Sequence, residues 1–274
     1  MVMRLVKGIV AFGLFVFIAG AVLASQRDYE DCVGEFGDGG IAACTRVIQD
    51  RSESVRRRAF AFASRGFEYY VKRDYDRAIA DCNEAIRLDP KFVLGYFNRG
   101  LAHRAKGDYD RAIADYSEAI RLDPKYALAF SKRGIAYSNK KDYDRAIADY
   151  SEAIRLDPKN ALAFNDRGIA YSNKKDYDRA IADYNEAIRL NPKYANHYFN
   201  RGFAYYDKKE YDRAIADYNE AIRLNPKYAS AYNNRGFAYR DKGDRERAIA
   251  DLRKAGEFGH PTAGEELRKL GVTP

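Results

Sequence analysis

An all-α fold, with one helical hairpin repeated along the chain, is the architecture this sequence predicts, on three observations. An Arg-Gly pair returns every 34 residues, at Gly66, Gly100, Gly134, Gly168, Gly202 and Gly236. Two further columns keep the same register: Ala78, Ala112, Ala146, Ala180, Ala214 and Ala248, then Pro90, Pro124, Pro158, Pro192 and Pro226. Between the prolines, apolar and small residues fall at helical spacing. Such a period buries apolar faces by stacking neighbours and presents a long surface, which points toward binding and away from catalysis.

Each element can be justified on residues 127–160, ALAFSKRGIAYSNKKDYDRAIADYSEAIRLDPKN. Ala127 to about Asn139 has helical periodicity, and Lys140-Lys141 makes the turn. Asp142 then suits an N-cap, with Asp144 in the first turn of a second helix. Pro158 ends that helix, because proline lacks the amide donor and forces its predecessor out of helical geometry. Phe130, Gly134 and Tyr137 form one stripe and Ala146, Tyr150 and Ala153 another, so these faces should meet with Gly134 near Ala146. Antiparallel pairing also sets Arg133 near Asp149, a pair that recurs in all six repeats, as in Arg65 with Asp81 and Arg235 with Asp251.

The unit resembles the tetratricopeptide repeat family. That family's aromatic, Gly, Tyr, Ala, aromatic, Ala, Pro pattern is met by Phe130, Gly134, Tyr137, Ala146, Tyr150, Ala153 and Pro158. Departures are few: Arg precedes the Gly where the family usually has Leu, His103 replaces a Tyr, and Cys82 and Leu252 replace a Tyr in the second helix. The resemblance covers six units, 59–92, 93–126, 127–160, 161–194, 195–228 and 229–260. It implies a right-handed superhelical solenoid whose first helices line a concave groove. His260 stands where Pro is expected, and 261–274 reads as a capping helix with Leu267 and Leu270 turned inward.

Residues 1–24 carry Arg4 and Lys7, then an apolar run from Gly8 to Ala24 with small Val22 and Ala24 before Ser25. This reads as an export signal cleaved after Ala24. The run also reaches the lower limit for spanning a bilayer, so membrane attachment through 8–24, left uncleaved, is the alternative. Either reading exports the repeats to a periplasm or cell envelope.

Extending the register backward puts Cys32 in the Gly66 column and Cys44 in the Ala78 column, which makes 25–58 a degenerate first hairpin. Helix axes about 8 to 10 Å apart leave facing Cα atoms roughly 4 to 5.5 Å apart, within reach of a disulfide. A Cys32–Cys44 bridge suits an exported chain. Two buried thiols are the alternative, but Asp28 and Asp31 leave this helix poor in apolar packing. Cys82 reads as a core thiol.

The chain has 274 residues, 46% hydrophobic and 32% charged, as in a folded protein, and 23 Tyr with no Trp reflect one repeated unit. Its net charge of +8 is distributed over cations at fixed repeat positions, Lys106, Lys140, Lys174 and Lys208, with Asp close by. That is a solvated outer face, and export argues against nucleic acid as a partner. Three His, at 103, 197 and 260, have no metal-binding spacing, the Asp recur identically, and phosphate loops and a nucleophile elbow are absent. No enzyme, metal or cofactor is expected.

Function then falls to the first-helix face. Phe67, Leu101, Ile135, Ile169, Phe203 and Phe237 form an always-apolar column that serves packing or ligand contact. Beside it lie Phe97 and Phe199, the columns of Tyr70, Arg104 and Tyr206, and Asn98, Asn200 and Asn234. The amides fall where some tetratricopeptide proteins, including the O-linked N-acetylglucosamine transferase, carry an Asn ladder that grips peptide backbone, though Lys132 and Asp166 interrupt it here. The lysine and asparagine clamp of chaperone-binding members is not reproduced. The expected function is a scaffold binding an extended peptide or partner helix; the alternative is an envelope polysaccharide stacked on Tyr70 and Tyr206.

Overall fold

A computed structural model describes residues 25–273. The signal or anchor reading of 1–24 lies outside these residues. The described residues are helical with no strand, and the chain divides into two compact units, Met1–Ala136 and Tyr137–Pro274. The first unit holds α1 (25–34), α2 (Asp38–Gln49), α3 (Val55–Val71), α4 (Tyr75–Leu88), α5 (Val93–Ala105), α6 (Tyr109–Leu122) and most of α7 (Ala127–Asn139). The second holds α8 (Tyr143–Leu156), α9 (Ala161–Asn173), α10 (Tyr177–Leu190), α11 (Ala195–Asp207), α12 (Tyr211–Leu224), α13 (Ala229–Asp241), α14 (Arg245–Glu257) and α15 (Ala263–Lys269). Hairpins α3/α4 and α5/α6 pack in the first unit, and α9/α10, α11/α12 and α13/α14 in the second.

Second helices begin where an acid can cap them. The side chains of Asp74, Asp108, Asp142, Asp176 and Asp244 each accept from the backbone N–H three residues on. Such a cap satisfies one of the orphan donors of the first turn. Glu210, one methylene longer, holds the same place before α12 without that bond.

Inside the hairpins the glycine leaves room for the facing residue, in most repeats a tyrosine ring. A Cβ on Gly100 or Gly168 would come within 2.7 Å of the Tyr116 or Tyr184 ring. Where Cys82 replaces that Tyr, a Cβ on Gly66 would meet its Sγ at 3.0 Å and the Ala78 carbonyl oxygen at 3.1 Å. The close approach of glycine to the alanine column therefore holds in the first and sixth repeats, where Cys82 and Leu252 stand in for the tyrosine, whereas at Gly100, Gly168 and Gly202 an aromatic ring fills the space.

The arginine before that glycine has two jobs. Arg65, Arg99, Arg167, Arg201 and Arg235 each grip the facing carboxylate of Asp81, Asp115, Asp183, Asp217 or Asp251 with two nitrogens. Arg133 and Asp149 fall on either side of the division between the units. The remaining nitrogen reaches the preceding hairpin: Arg99 donates to Asn83 at 2.7 Å, Arg133 to Ser117 at 2.9 Å, Arg167 to Ser151 at 3.0 Å and Arg201 to Asn185 at 2.6 Å. An apolar Leu here could pack but not stitch hairpin to hairpin, and only the planar, forked guanidinium serves both partners.

The first hairpin lacks this arginine and glycine pair and is held otherwise. Cys32 and Cys44 are bridged, with Cα atoms 4.6 Å apart, inside the expected range. A Cβ on Gly40 would lie 2.4 Å from the Glu35 carbonyl oxygen, which keeps the turn tight. Glu68 of α3 accepts the Gly37 N–H at 2.8 Å, at the start of α2.

Candidate functional site on the first-helix faces

In the first unit two residues of the expected contact face, Phe97 and Leu101, are core. They are only 5% and 6% exposed. Phe97 packs tilted against Tyr116 and Tyr126, with ring centroids 5.8 and 4.9 Å away. Phe67 and Tyr70 cover the same cluster from α3. For Phe97 and Leu101, packing is the role the geometry shows. Asn98 donates its amide to the Ala63 carbonyl at 3.1 Å, across to α3. Arg104 and Ile135 are half-buried.

The second unit presents the same columns differently. Ile169 and Phe203 are 37% and 42% exposed, while Phe199 is half-buried against Tyr218 and Tyr228, 5.9 and 5.0 Å away. Beside Phe203 is a cleft of about 370 Å³ lined by Tyr206, Asn234, Phe237, Arg240 and Glu266. Its polar groups are oriented by one another. The Tyr206 hydroxyl donates to Asp241 at 2.5 Å, and Arg240 pairs with Asp241 at 2.7 Å and Glu266 at 3.4 Å while lying 4.9 Å over the Phe237 ring. Burial and the Asp241 carboxylate push the Tyr206 hydroxyl up to about 12, so it stays a neutral donor.

The asparagines hold their own helices together. Asn200 donates to Asn165 Oδ1 at 2.9 Å, and Asn234 accepts from Asn233 at 3.3 Å. An amide has two N–H groups, so Asn98 and Asn200 each keep one for another acceptor. One member of this network was not singled out from sequence. His197 sits in a column otherwise filled by Ala61, Gly95, Ala129, Ala163 and Ala231, and is fully buried with Nδ1 3.1 Å from Asn165 Oδ1. Its Nε2 has no partner among the described residues, and burial lowers its pKa to about 4, which leaves the ring neutral. The signal was available: a large polar residue in a column of small ones.

Other chemistry is meagre. Burial pushes the Cys82 thiol up to about 12, which removes thiolate reactivity. Among the described residues no group of three or more His, Cys, Asp and Glu could hold a metal, and no helix is long and apolar enough to cross a membrane.

The chain is similar to known proteins over most of this length. Models described as TPR repeat match residues 100–141, 173–209 and 204–243, and models described as tetratricopeptide repeat match 59–92, 127–160, 82–114 and 150–182. A crystal structure of MamA is 31% identical, covering 63% of this chain and 97% of that one, with a TM-score of 0.55. YrrB, described as a TPR protein with an unusual peptide-binding site, is 24% identical over 69% of this chain and 98% of its own, with a TM-score of 0.57. Pseudomonas aeruginosa pilF is 18% identical over 79% of this chain and all of its own, with a TM-score of 0.68. The last two likenesses concern the fold alone. No curated protein sequence is significantly similar.

Proposed function

The chain belongs to the tetratricopeptide repeat family, and from that premise we propose that it is a non-catalytic scaffold of the cell envelope whose second unit binds an extended peptide or partner helix on its first-helix face. One observation carries this reading. Ile169 and Phe203 are exposed at the positions where Leu101 is buried, and Phe203 borders a cleft whose tyrosine, arginine and asparagine are already oriented. Exposed apolar side chains rimmed by fixed polar groups suit a partner that buries side chains and offers backbone acceptors. The amide hydrogen left on Asn200 would serve such a backbone.

Placement in the envelope rests on other features. The apolar run 8–24 behind Arg4 and Lys7 reads as an export signal or anchor, and the Cys32–Cys44 bridge supports an oxidising compartment. The test is capture of partners from an envelope extract by the chain and by an Ile169→Asn/Phe203→Asn variant. Material released by protease and lost on the double variant supports the peptide reading. Material released only by glycosidase would replace it with a polysaccharide stacked on Tyr206, and equal capture by both proteins would move the site off this face.

A further inference from the structure

Glu68 breaks its column. The five equivalent positions are Ala102, Ala136, Ala170, Ala204 and Ala238, all fully buried, whereas Glu68 is a carboxylate only 6% exposed. One of its oxygens caps the Gly37 N–H, and among the described residues that is its only side-chain hydrogen bond. A carboxylate has about four acceptor positions, so capping α2 leaves most of its capacity unused in a low-dielectric setting.

The unused capacity borders a cavity. A pocket of about 170 Å³ lies between the first hairpin and helices α3 and α5, lined chiefly by Glu35, Phe36, Ser64, Phe67, Glu68 and Asn98. Two of these groups are acids and none is a cation. Glu35 forms no ion pair among the described residues, and nearby Lys72 is engaged by Asp38. Phe36 stands at the tip of the turn, 79% exposed, with Val33 beside it at 51%. Its ring is held out where it shields nothing of its own fold.

We infer that this pocket receives a cationic side chain, arginine or lysine, of a peptide partner that docks on the first unit. The inference rests on the scaffold reading above and adds a charge requirement to the partner. Size favours a single side chain, since small-molecule sites run from about 300 Å³ upward. Charge decides which kind. An apolar side chain would cover Glu68 and leave its carboxylate desolvated with one bond, whereas an ammonium or guanidinium group donates to it and to Glu35. The alkyl stem and the cation face would then lie against Phe36 and Phe67, a contact that gains strength as water is excluded. The net positive charge of the chain opposes this only at long range, where salt screens it.

The test is a magnetic resonance titration of the whole chain with N-acetyl-argininamide, N-acetyl-lysinamide and uncharged N-acetyl-norleucinamide. Saturable shifts of the Gly37 backbone amide and the Asn98 side-chain amide are expected with the two cations and not with the norleucine compound. Glu68→Gln, which keeps an acceptor for Gly37, should weaken the cation at least about fivefold, and the exposed changes Glu35→Gln and Phe36→Ala at least about twofold. Should Glu68→Gln fail to fold, the two exposed variants decide the question alone. Equal shifts from norleucinamide, or unchanged affinity in the folded variants, overturn the inference. In that event, capture that still depends on Ile169 and Phe203 keeps the scaffold reading intact; a cation that binds as expected while capture ignores those two residues overturns the scaffold reading instead.

Discussion

Leu101 and Phe203 occupy one column of the repeat, three repeats apart, yet one is core and the other is surface. The difference comes from the neighbouring first helix. Beside Leu101, α3 supplies Phe67 and Tyr70, which close over the cluster. Beside Phe203, α9 supplies Ile169 and, in the Tyr70 column, only Ser172, whose hydroxyl lies 3.3 Å from that of Tyr184. A column therefore fixes which way a side chain points, and the variable column beside it fixes whether that side chain is covered.

Breaking the comparison at its buried end gives the largest effect. Leu101→Asn should destabilise the first unit by about 3 to 4 kcal/mol, because it removes a buried aliphatic group and buries an amide without partners. Phe203→Asn should change stability by less than about 1 kcal/mol while reducing partner capture. Paired thermal melts and capture assays check both. If Leu101→Asn melts like the parent while capture is lost, the column is a ligand face throughout.

The second expectation concerns acid. His197 is neutral when folded, with its pKa lowered to about 4 by burial, against an ordinary value near 6.5 in the unfolded chain. Between those values the unfolded state binds more protons, so stability is fully present above pH ~6.5 and declines as the pH falls toward ~4, by up to about 3 kcal/mol. The expectation concerns the second unit, where His197 lies. His197→Ala restores the residue of its column and should flatten that decline, as denaturant melts at pH 7 and pH 4.5 would show. A slope unchanged by the substitution would assign the decline to other groups of that unit, of which His260, also lowered by burial, is the first to replace.

How far the sequence discloses the molecule follows the same division. Repeat spacing fixes the hairpins, their capping aspartates and the arginine–aspartate pairs, since each of these is a local or single-hairpin relation. The backward register locates Cys32 opposite Cys44 for the same reason. What it does not disclose depends on neighbours. Arg99 reaching Asn83, Lys208 reaching Asp178 at 2.6 Å, and the coverage of Leu101 all join one hairpin to the previous one. The asparagine ladder shows the limit most plainly: its positions can be read from the sequence, but its partners, Ala63 and Asn165, lie on adjacent helices.

The third expectation contrasts the two kinds of hairpin. Cys32→Ser should destabilise α1 and α2 by about 2 to 3 kcal/mol, because the bridge closes a short loop in a hairpin with few other ties. Hairpin α5/α6, held by Arg99, Asp115 and the Gly100 and Tyr116 contact, should keep its protection. Amide exchange resolves the two segments. Uniform loss across both would make the first hairpin part of one cooperative block with them.

The smallest effect lies in the turns between paired helices. One column there is Arg73, Gly107, Lys141, Lys175, Lys209 and Gly243, and all six have positive φ, from 61° at Lys141 to 89° at Gly243. Left-handed backbone brings a Cβ against its own carbonyl, which costs about 1 kcal/mol or more for a lysine and nothing for a glycine. Against this, glycine gives the unfolded chain more freedom, offsetting about half of the gain. Lys175→Gly should therefore stabilise by about 0.5 kcal/mol, and Gly107→Lys should destabilise by a similar amount. The ion pair at this turn belongs to the neighbouring Lys174, with Asp144, and Lys175 forms none among the described residues, so no salt bridge is lost in the exchange. Precise denaturant melts of the reciprocal pair provide the measurement. Changes of the same sign in both directions would mean that the turn relaxes when its residue is replaced, and that backbone geometry at this column follows the side chain instead of being imposed by the hairpin.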